Sequence, residues 1–447
     1  MANIQAFSGL RYDLSKVGSL SDVIAPPYDV IGQELQAELY EKHVNNVVRL
    51  ILNRGDDLRE NETIYDAAAS HFKQWKKDGI LKEDYPSAMY VYHQTFEFDG
   101  KKHTRRGFMS RVRIEPFGEG KIYPHEETHS KVKEDRFKLM TACGANMSQI
   151  FGIYPDQENE IQEILESAIA DKTPLSATDH LGVEHQLWLV TDTDAISRAA
   201  AVMGPKPIYI ADGHHRYETA TNVRQSNMDA GDLSDDHPSQ YVLMMNVSMF
   251  DPGMIVLPTH RLFRGIPPMT SEEFVGEVSS AFDCDIVGHH AEKAGEVWEM
   301  IAVEDQQSTM AFFCHTDQAW VLCRLNDEGR KLMREVAPDQ SDDWRSLGVA
   351  LLHKLVVGKL LGHESLPSPL YVHSVEEVID GLTNGDAAGR DATGQQGSGE
   401  PFGLSCLVMP ATLEHVKRIS EHGERMPAKS TYFYPKMLSG LVFNPIT

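Results

Sequence analysis
The sequence predicts an α/β protein of the α+β kind with two domains. Three observations lead there. The chain has 447 residues, more than one ordinary core accommodates. Strand-type alternation recurs between segments of helical period along its length. At 207–225, "PIYIADGHHRYETATNVRQ" reads as an apolar strand, a sharp turn at Gly213 and then a helix beginning near His215.

The elements follow in chain order. "IAPPYDVI" at 24–31 contains Pro26 and Pro27, which exclude helix and make it an extended segment or loop carrying Tyr28 and Asp29. "NNVVRLIL" at 45–52 reads as an apolar strand with Arg49 at its start. Residues 58–78 have an amphipathic helical pattern. "AMYVYHQTFEFDGKKHTRRGFMSRVRI" reads as a hairpin around Asp99-Gly100, a dipeptide suited to tight hairpin turns. Further strands are expected at 185–192, 241–249 and 254–259. From about 266 the pattern restarts with helix, strand and a second hairpin at 309–325. A helix at 346–362 precedes "PLYVHSVEEVIDGL", a strand running into a helix. The closing "KSTYFYPKMLSGLVFN" places Lys429, Ser430, Thr431 and Lys436 around aromatics, as a buried tail strand. The expected domains are 1–265 and 266–447, with a mobile Gly-rich loop at 384–401.

Composition narrows the function classes. Hydrophobic residues are 41% and charged residues 24%, as in soluble globular proteins. Acidic residues outnumber basic ones, 66 to 42, for a formal charge of −24. Such a chain repels nucleic acid unless it carries a local basic patch. The start, MANIQAFSGLRYDLSKV, lacks the pattern of a secretory signal, and no run is apolar enough for a membrane span. Five scattered cysteines, an odd number with no C-x-x-C, read as reduced thiols in a cytoplasm.

Two stretches carry the chemistry. In "DGHHRYETA" an apolar strand ends at Asp212 and a helix starts after Gly213. A helix start binds anions through its backbone N–H groups and its dipole. Arg216 adds a bidentate phosphate contact, and His214 and His215 add donors. Asp212 and Glu218 suit a base or a Mg2+ ligand. The plainer alternative is a polar corner capped by Asp212. The second stretch is "PHEETHSKVKEDRFKLM", whose His125-Glu126-Glu127-Thr128-His129 satisfies the zinc-protease pattern H-E-x-x-H. That chemistry needs both histidines one turn apart on a helix. Pro124, the charged flanks and a cap at Thr128 or Ser130 instead place the pattern before the helix, and no third ligand presents itself. No stoichiometric zinc is expected. His125, Lys133 and Arg136 then supply positive charge for an anionic ligand, and Glu126 is a candidate general base. "LPTHRLFRG" at 257–265 puts His260 and Arg261 at a strand end, as further binding candidates beside Tyr28, Asp29 and Arg49. There is no Walker loop, no G-x-S-x-G elbow and no Rossmann G-x-G-x-x-G.

"PPYDVI", "PHEETHSKVKEDR", "GANMSQIFGIY", "IADGHHRYETA", "PTHRLF" and "KSTYFYPKMLSGLVFN" occur in this order. Together they resemble the bacterial domain-of-unknown-function 1015 family over nearly the whole chain. The strand followed by "ADGHHRYETA" also resembles the second box of the ParB/sulfiredoxin superfamily, closest to its ADP-dependent free serine kinase branch. That resemblance implies a ParB/sulfiredoxin-like mixed-sheet domain over about the first 250 residues, gripping nucleotide phosphates at the turn. It also implies a phosphotransferase or phosphatase for a small hydroxyl metabolite, serine or phosphoserine, with Mg2+ and with ADP or ATP as phosphoryl donor or acceptor. The rival readings are a CTP-gated nucleic-acid-binding switch and a non-catalytic ligand-binding protein. Position 214 is His where sulfiredoxin has its cysteine, so sulfinic-acid reduction is not implied.

Overall fold
The structure is a computed structural model that describes all residues except 1, 57, 60, 61, 129, 232, 364 and 386–401. His129 and most of the Gly-rich loop expected at 384–401 therefore lie outside the described residues. The chain divides into two compact units. The first comprises Met1–Pro124, Thr128–Ile255 and Pro435–Thr447; the second comprises His125–Glu127 and Val256–Tyr434. It is a mixed α/β protein with one large mixed sheet and a separate antiparallel sheet.

The first unit is built on a nine-stranded sheet. Its order runs Ile122–Tyr123, Ile208–Asp212, Ile150–Tyr154, Tyr241–Ser248, Lys101–Arg113, Met89–Phe98, Glu184–Val190 and Leu175–Thr178, with Ile4–Gln5 added on Lys101–Arg113. Two pairings are parallel, Ile208–Asp212 with Ile122–Tyr123 and Tyr241–Ser248 with Ile150–Tyr154. The hairpin expected from Asp99-Gly100 is present, with Phe98 opposite Lys101. Both turn residues have positive φ, 50° and 65°, the geometry whose twist matches the flanking strands. The helix expected at 58–78 spans Ile64–Lys77 and starts with a reciprocal Thr63–Asp66 capping box. It buries Ala68, Phe72 and Trp75 on one face.

Two local expectations are corrected. The run at Arg49 is not a strand but a short helix, Val48–Ile51. Short apolar runs do not distinguish a strand from a buried helical turn, and here Asn46 decides. Its Oδ1 accepts the Val48 N–H while its amide donates to the carbonyls of Asp22 and Ile24. After the two prolines, Tyr28–Val30 forms one 3-10 turn rather than an extended segment; Pro27 lies just before it, where a missing N–H costs nothing. The chain's end belongs to this unit: Asn444–Pro445 pairs with Ala145–Asn146, and Phe443 bridges Leu10.

The second unit holds a six-stranded antiparallel sheet in the order Phe282–His289, Ala319–Leu325, Thr309–Cys314, Leu404–Val408, His260–Phe263 and Leu370–Val372. Met310, Phe312, Val321 and Leu407 are fully or almost fully buried in it. The helix expected at 346–362 is a single α-turn, Gly348–Ala350, followed by π-helical turns over Leu351–Leu360. Nothing in the sequence marks that change of hydrogen-bond pattern. The helix Val375–Asn384 starts with a Ser374–Glu377 capping box.

Candidate functional site
The strand Ile208–Asp212 is buried up to its last residue. Its pairing with Ile150–Tyr154 slips between Ile210 and Asp212. Such an irregularity re-aims a side chain at the end of a strand, and here that side chain is Asp212. Gly213 follows with φ +90°, a conformation glycine adopts without Cβ strain. A Cβ there would also lie within 3.0 Å of the Arg216 guanidinium. The helix is His214–Asp229, and its first ladder bond is Tyr217 N–H to Gly213 O. Gly213, not Asp212, therefore occupies the cap position.

Charge concentrates at this turn. Arg216 Nη2 donates to Asp212 Oδ2 at 2.7 Å, and Arg216 Nη1 donates to the Gln149 carbonyl. Lys436 Nζ reaches Asp212 Oδ1 at 3.2 Å. One carboxylate thus faces two cations, one from the helix and one from the returning tail. One turn further along, Glu218 Oε2 accepts from Lys133 Nζ at 2.7 Å and from Thr128 Oγ1 at 2.8 Å. Thr128 is tied to Glu218, and the helix Ser130–Cys143 starts after it.

Tyr28 and Arg136 complete a pocket beside the turn. The Arg136 guanidinium lies 4.1 Å above the Tyr28 ring and donates to the Ile51 carbonyl at 2.9 Å. Burial drives the Tyr28 phenol well above its ordinary pKa; Asp29 adds to this and Arg136 opposes it. Tyr28 is therefore a neutral hydroxyl donor at physiological pH. Tyr28, Arg136, Asn146, Ser148 and Arg216 line the pocket, with Ile150 and Val242 as part of its apolar wall. Its few convergent polar groups on an apolar wall are of the kind small-molecule sites use, but its free volume of about 40 Å³ is well below the roughly 300–1,000 Å³ of a formed ligand pocket.

Of the residues expected in the site, the structure brings Tyr28, Arg136 and Arg216 to one pocket, with Asp212 and Gly213 at its turn. His214 is buried and His215 half-buried in the first helical turn. Arg49 goes elsewhere. It stacks on Tyr40 at 4.3 Å, donates to the Tyr40 carbonyl, and lines a different pocket with His71 and Gln74. Lys436 and Gln149 were not among the expected site residues. The basic residues within the aromatic tail motif were the only sequence signal for Lys436. Gln149 acts through its backbone, which no side-chain pattern reveals.

The second unit gathers His125, Glu126, His260 and Arg261. Glu126 Oε1 accepts from Ser430 N, Thr431 N and Thr431 Oγ1 at 3.0 to 3.2 Å. His125 Nε2 lies 2.9 Å from Thr431 Oγ1 and 3.7 Å from Glu126 Oε1. His125 precedes the helix that begins at Ser130, so the one-turn helical spacing of a zinc protease does not arise. Arg261 is fully buried, donating to the carbonyls of Thr259 and Lys429 and to His353 Nε2. Burial lowers its pKa. His260 is also fully buried, edge-on to Trp298, and burial pushes its imidazole down to about 3.

A family model described as "Protein of unknown function (DUF1015)" matches residues 4–350. The chain belongs to the DUF1015 family. No curated protein sequence matches it. Among solved structures, this DUF1015 chain is similar to a free serine kinase in complex with AMP, at 13% identity and TM-score 0.31, over 70% of this chain and 83% of that one. It is similar to SbnI with C-terminal truncation from Staphylococcus aureus, at 11% identity and TM-score 0.31, over 74% and 85%. A conserved hypothetical protein from Pyrococcus furiosus gives 13% identity and TM-score 0.31, over 71% and 89%.

Proposed function
We propose that this DUF1015 protein is a nucleotide-dependent phosphotransferase or phosphatase acting on a small hydroxyl metabolite of the serine or phosphoserine class. The observation that carries the reading is the Asp212–Arg216 turn: an irregular strand end, a positive-φ glycine, a helix start and two cations on one carboxylate. Phosphoryl transfer asks little covalent chemistry of a protein. It asks for N–H donors, cations and a placed carboxylate. In this reading a phosphoryl group takes up Arg216 and Lys436 at the helix start, and Tyr28 and Arg136 bind the remainder of the ligand. The D-G-H-x-R-like likeness of residues 212–216 to the free serine kinase branch supports the same substrate class, and with it a ParB/sulfiredoxin-like reading of the first unit.

A base must orient the attacking hydroxyl or water, and Asp212, Asp29 and Glu126 are the candidates. ADP or ATP is the proposed phosphoryl partner. Mg2+ is a poorer fit to the protein alone. Both Asp212 oxygens face cationic side chains, and no group of three potential metal ligands exists among the described residues. Assaying purified protein with serine and with phosphoserine, each with ADP, ATP, CTP and pyrophosphate, tests the proposal. Turnover of one pairing supports it, and the absence of both turnover and ligand binding across the set refutes it. Retention on heparin or DNA at moderate salt would favour the CTP-gated switch instead, against the chain's charge of −24.

A further inference from the structure
In the second unit, Cys284 and Cys323 stand directly opposite each other on neighbouring antiparallel strands, Phe282–His289 and Ala319–Leu325. Their sulfurs are 3.3 Å apart. All five cysteines are free thiols, but no other two share a sulfur–sulfur hydrogen bond among the described residues. The two thiols differ in access. Cys323 is fully buried, whereas Cys284 is half-buried on the strand that forms the edge of the sheet. The register is held beside them by charge. Arg324 Nη1 meets Asp285 Oδ2 at 2.8 Å, and Asp283 pairs with Arg324 across the ladder.

We infer that Cys284 and Cys323 are a reversible oxidation site, closing to a cross-strand disulfide when a peroxide reaches Cys284. A disulfide needs a sulfur separation of about 2.0 Å and Cα atoms roughly 4.4–6.8 Å apart. Antiparallel partners stand about 4.5–5.5 Å apart at Cα, so the backbone already meets the requirement. The sulfurs must close by just over ~1 Å. The Cys284 thiolate attacks one peroxide oxygen, the O–O bond breaks, and Cys284 becomes a sulfenic acid as the first water leaves. The Cys323 thiol then attacks the sulfenic sulfur, the S–O bond breaks, and hydroxide takes the thiol proton to leave as the second water. Overall, two thiols lose two electrons and two protons to one peroxide. Once Cys284 is a thiolate, the Cys323 S–H is the donor between the two sulfurs, and that bond lowers the pKa of the outer thiol, which favours the accessible sulfur as the attacking group.

The experiment treats the folded full chain with hydrogen peroxide, removes the peroxide, unfolds the chain in an alkylating agent so that every remaining thiol is blocked, and maps peptides without reduction. The expected product is one cross-linked peptide joining Cys284 to Cys323, lighter by two hydrogen atoms and released by dithiothreitol, with Cys143, Cys314 and Cys406 still alkylated. Cys323→Ser removes the resolving thiol, so a sulfenic-acid trap should then label Cys284 and leave the wild type largely unlabelled. Full alkylation of both cysteines in peroxide-treated wild type overturns the inference, as does a cross-link formed only after denaturation.

Discussion
The two units handle a carboxylate in opposite ways. In the first, Asp212 ends a strand and faces Arg216 and Lys436. In the second, Glu126 is held by two backbone N–H groups and a hydroxyl of the segment Ser430–Thr431. A carboxylate paired with long cationic side chains can give them up to an arriving anion. One held by backbone donors stays where the chain puts it. A similar contrast separates some of the other ionisable groups, although the first unit also buries Arg105 and His185. The side chains of Lys133, Arg136 and Arg216 in the first unit keep part of their surface exposed, Lys133 the most. In the second unit Arg261 and His260 are buried and His353 is half-buried, and burial holds the two imidazoles neutral. The first arrangement suits exchange with a ligand, and the second suits fixed geometry.

The largest expected effect is on the second unit in acid. Burial pushes His260 and His353 down to about 3, the Arg261 charge adding to both, and burial alone pushes His315 to about 4. The unfolded chain binds these protons at about 6.5. Below that pH the unfolded state therefore holds more protons than the folded one, and stability falls as pH falls. Each imidazole removes up to about 1.4 kcal/mol per pH unit until its folded pKa is reached. Hydrogen exchange, corrected for intrinsic rate, should show His260–Phe263 losing protection between pH 7 and 5. Unchanged protection would mean these imidazoles titrate in the fold as they do in the unfolded chain.

Glu126→Gln comes next. If Glu126 is the base, turnover falls roughly 10²–10⁴-fold with little change in ligand affinity, and His125→Ala raises the apparent Michaelis constant. If turnover survives Glu126→Gln and collapses in Asp212→Asn, the chemistry belongs to the first unit and Glu126 is an anchor. The smallest effect is structural. Gly213→Ala forces a Cβ into a positive-φ turn, at a cost of about 1–2 kcal/mol in the first unit's stability. A thermal unfolding curve matching the wild type would show that the turn tolerates another conformation.

Much of this arrangement was legible in the residues, because local chemistry specified it. Asp99-Gly100 announced its hairpin, and an apolar run broken by Gly213 announced the strand, turn and helix. The strand expected at Arg49 is a helical turn because its five apolar neighbours fit a buried helix as well as a strand, and the choice depends on the bonds of Asn46. Lys436 lies 224 residues from Asp212, a separation that no periodicity bridges. The Tyr28–Arg136 contact likewise joins a proline-led turn to a helix far along the chain. A sequence marks such residues as polar but does not say which of them converge.

If this protein is a phosphotransferase or phosphatase, the Asp212–Arg216 turn binds the phosphoryl group. Calorimetric titration of wild type and of folded Arg216→Ala with phosphoserine and with ADP tests it most directly. Wild type is expected to bind one or both, and removing the guanidinium to weaken binding by about 1.5–3 kcal/mol, the range for a charge-assisted hydrogen bond. Equal affinity in the two proteins, with the variant's fold verified by circular dichroism, would contradict it.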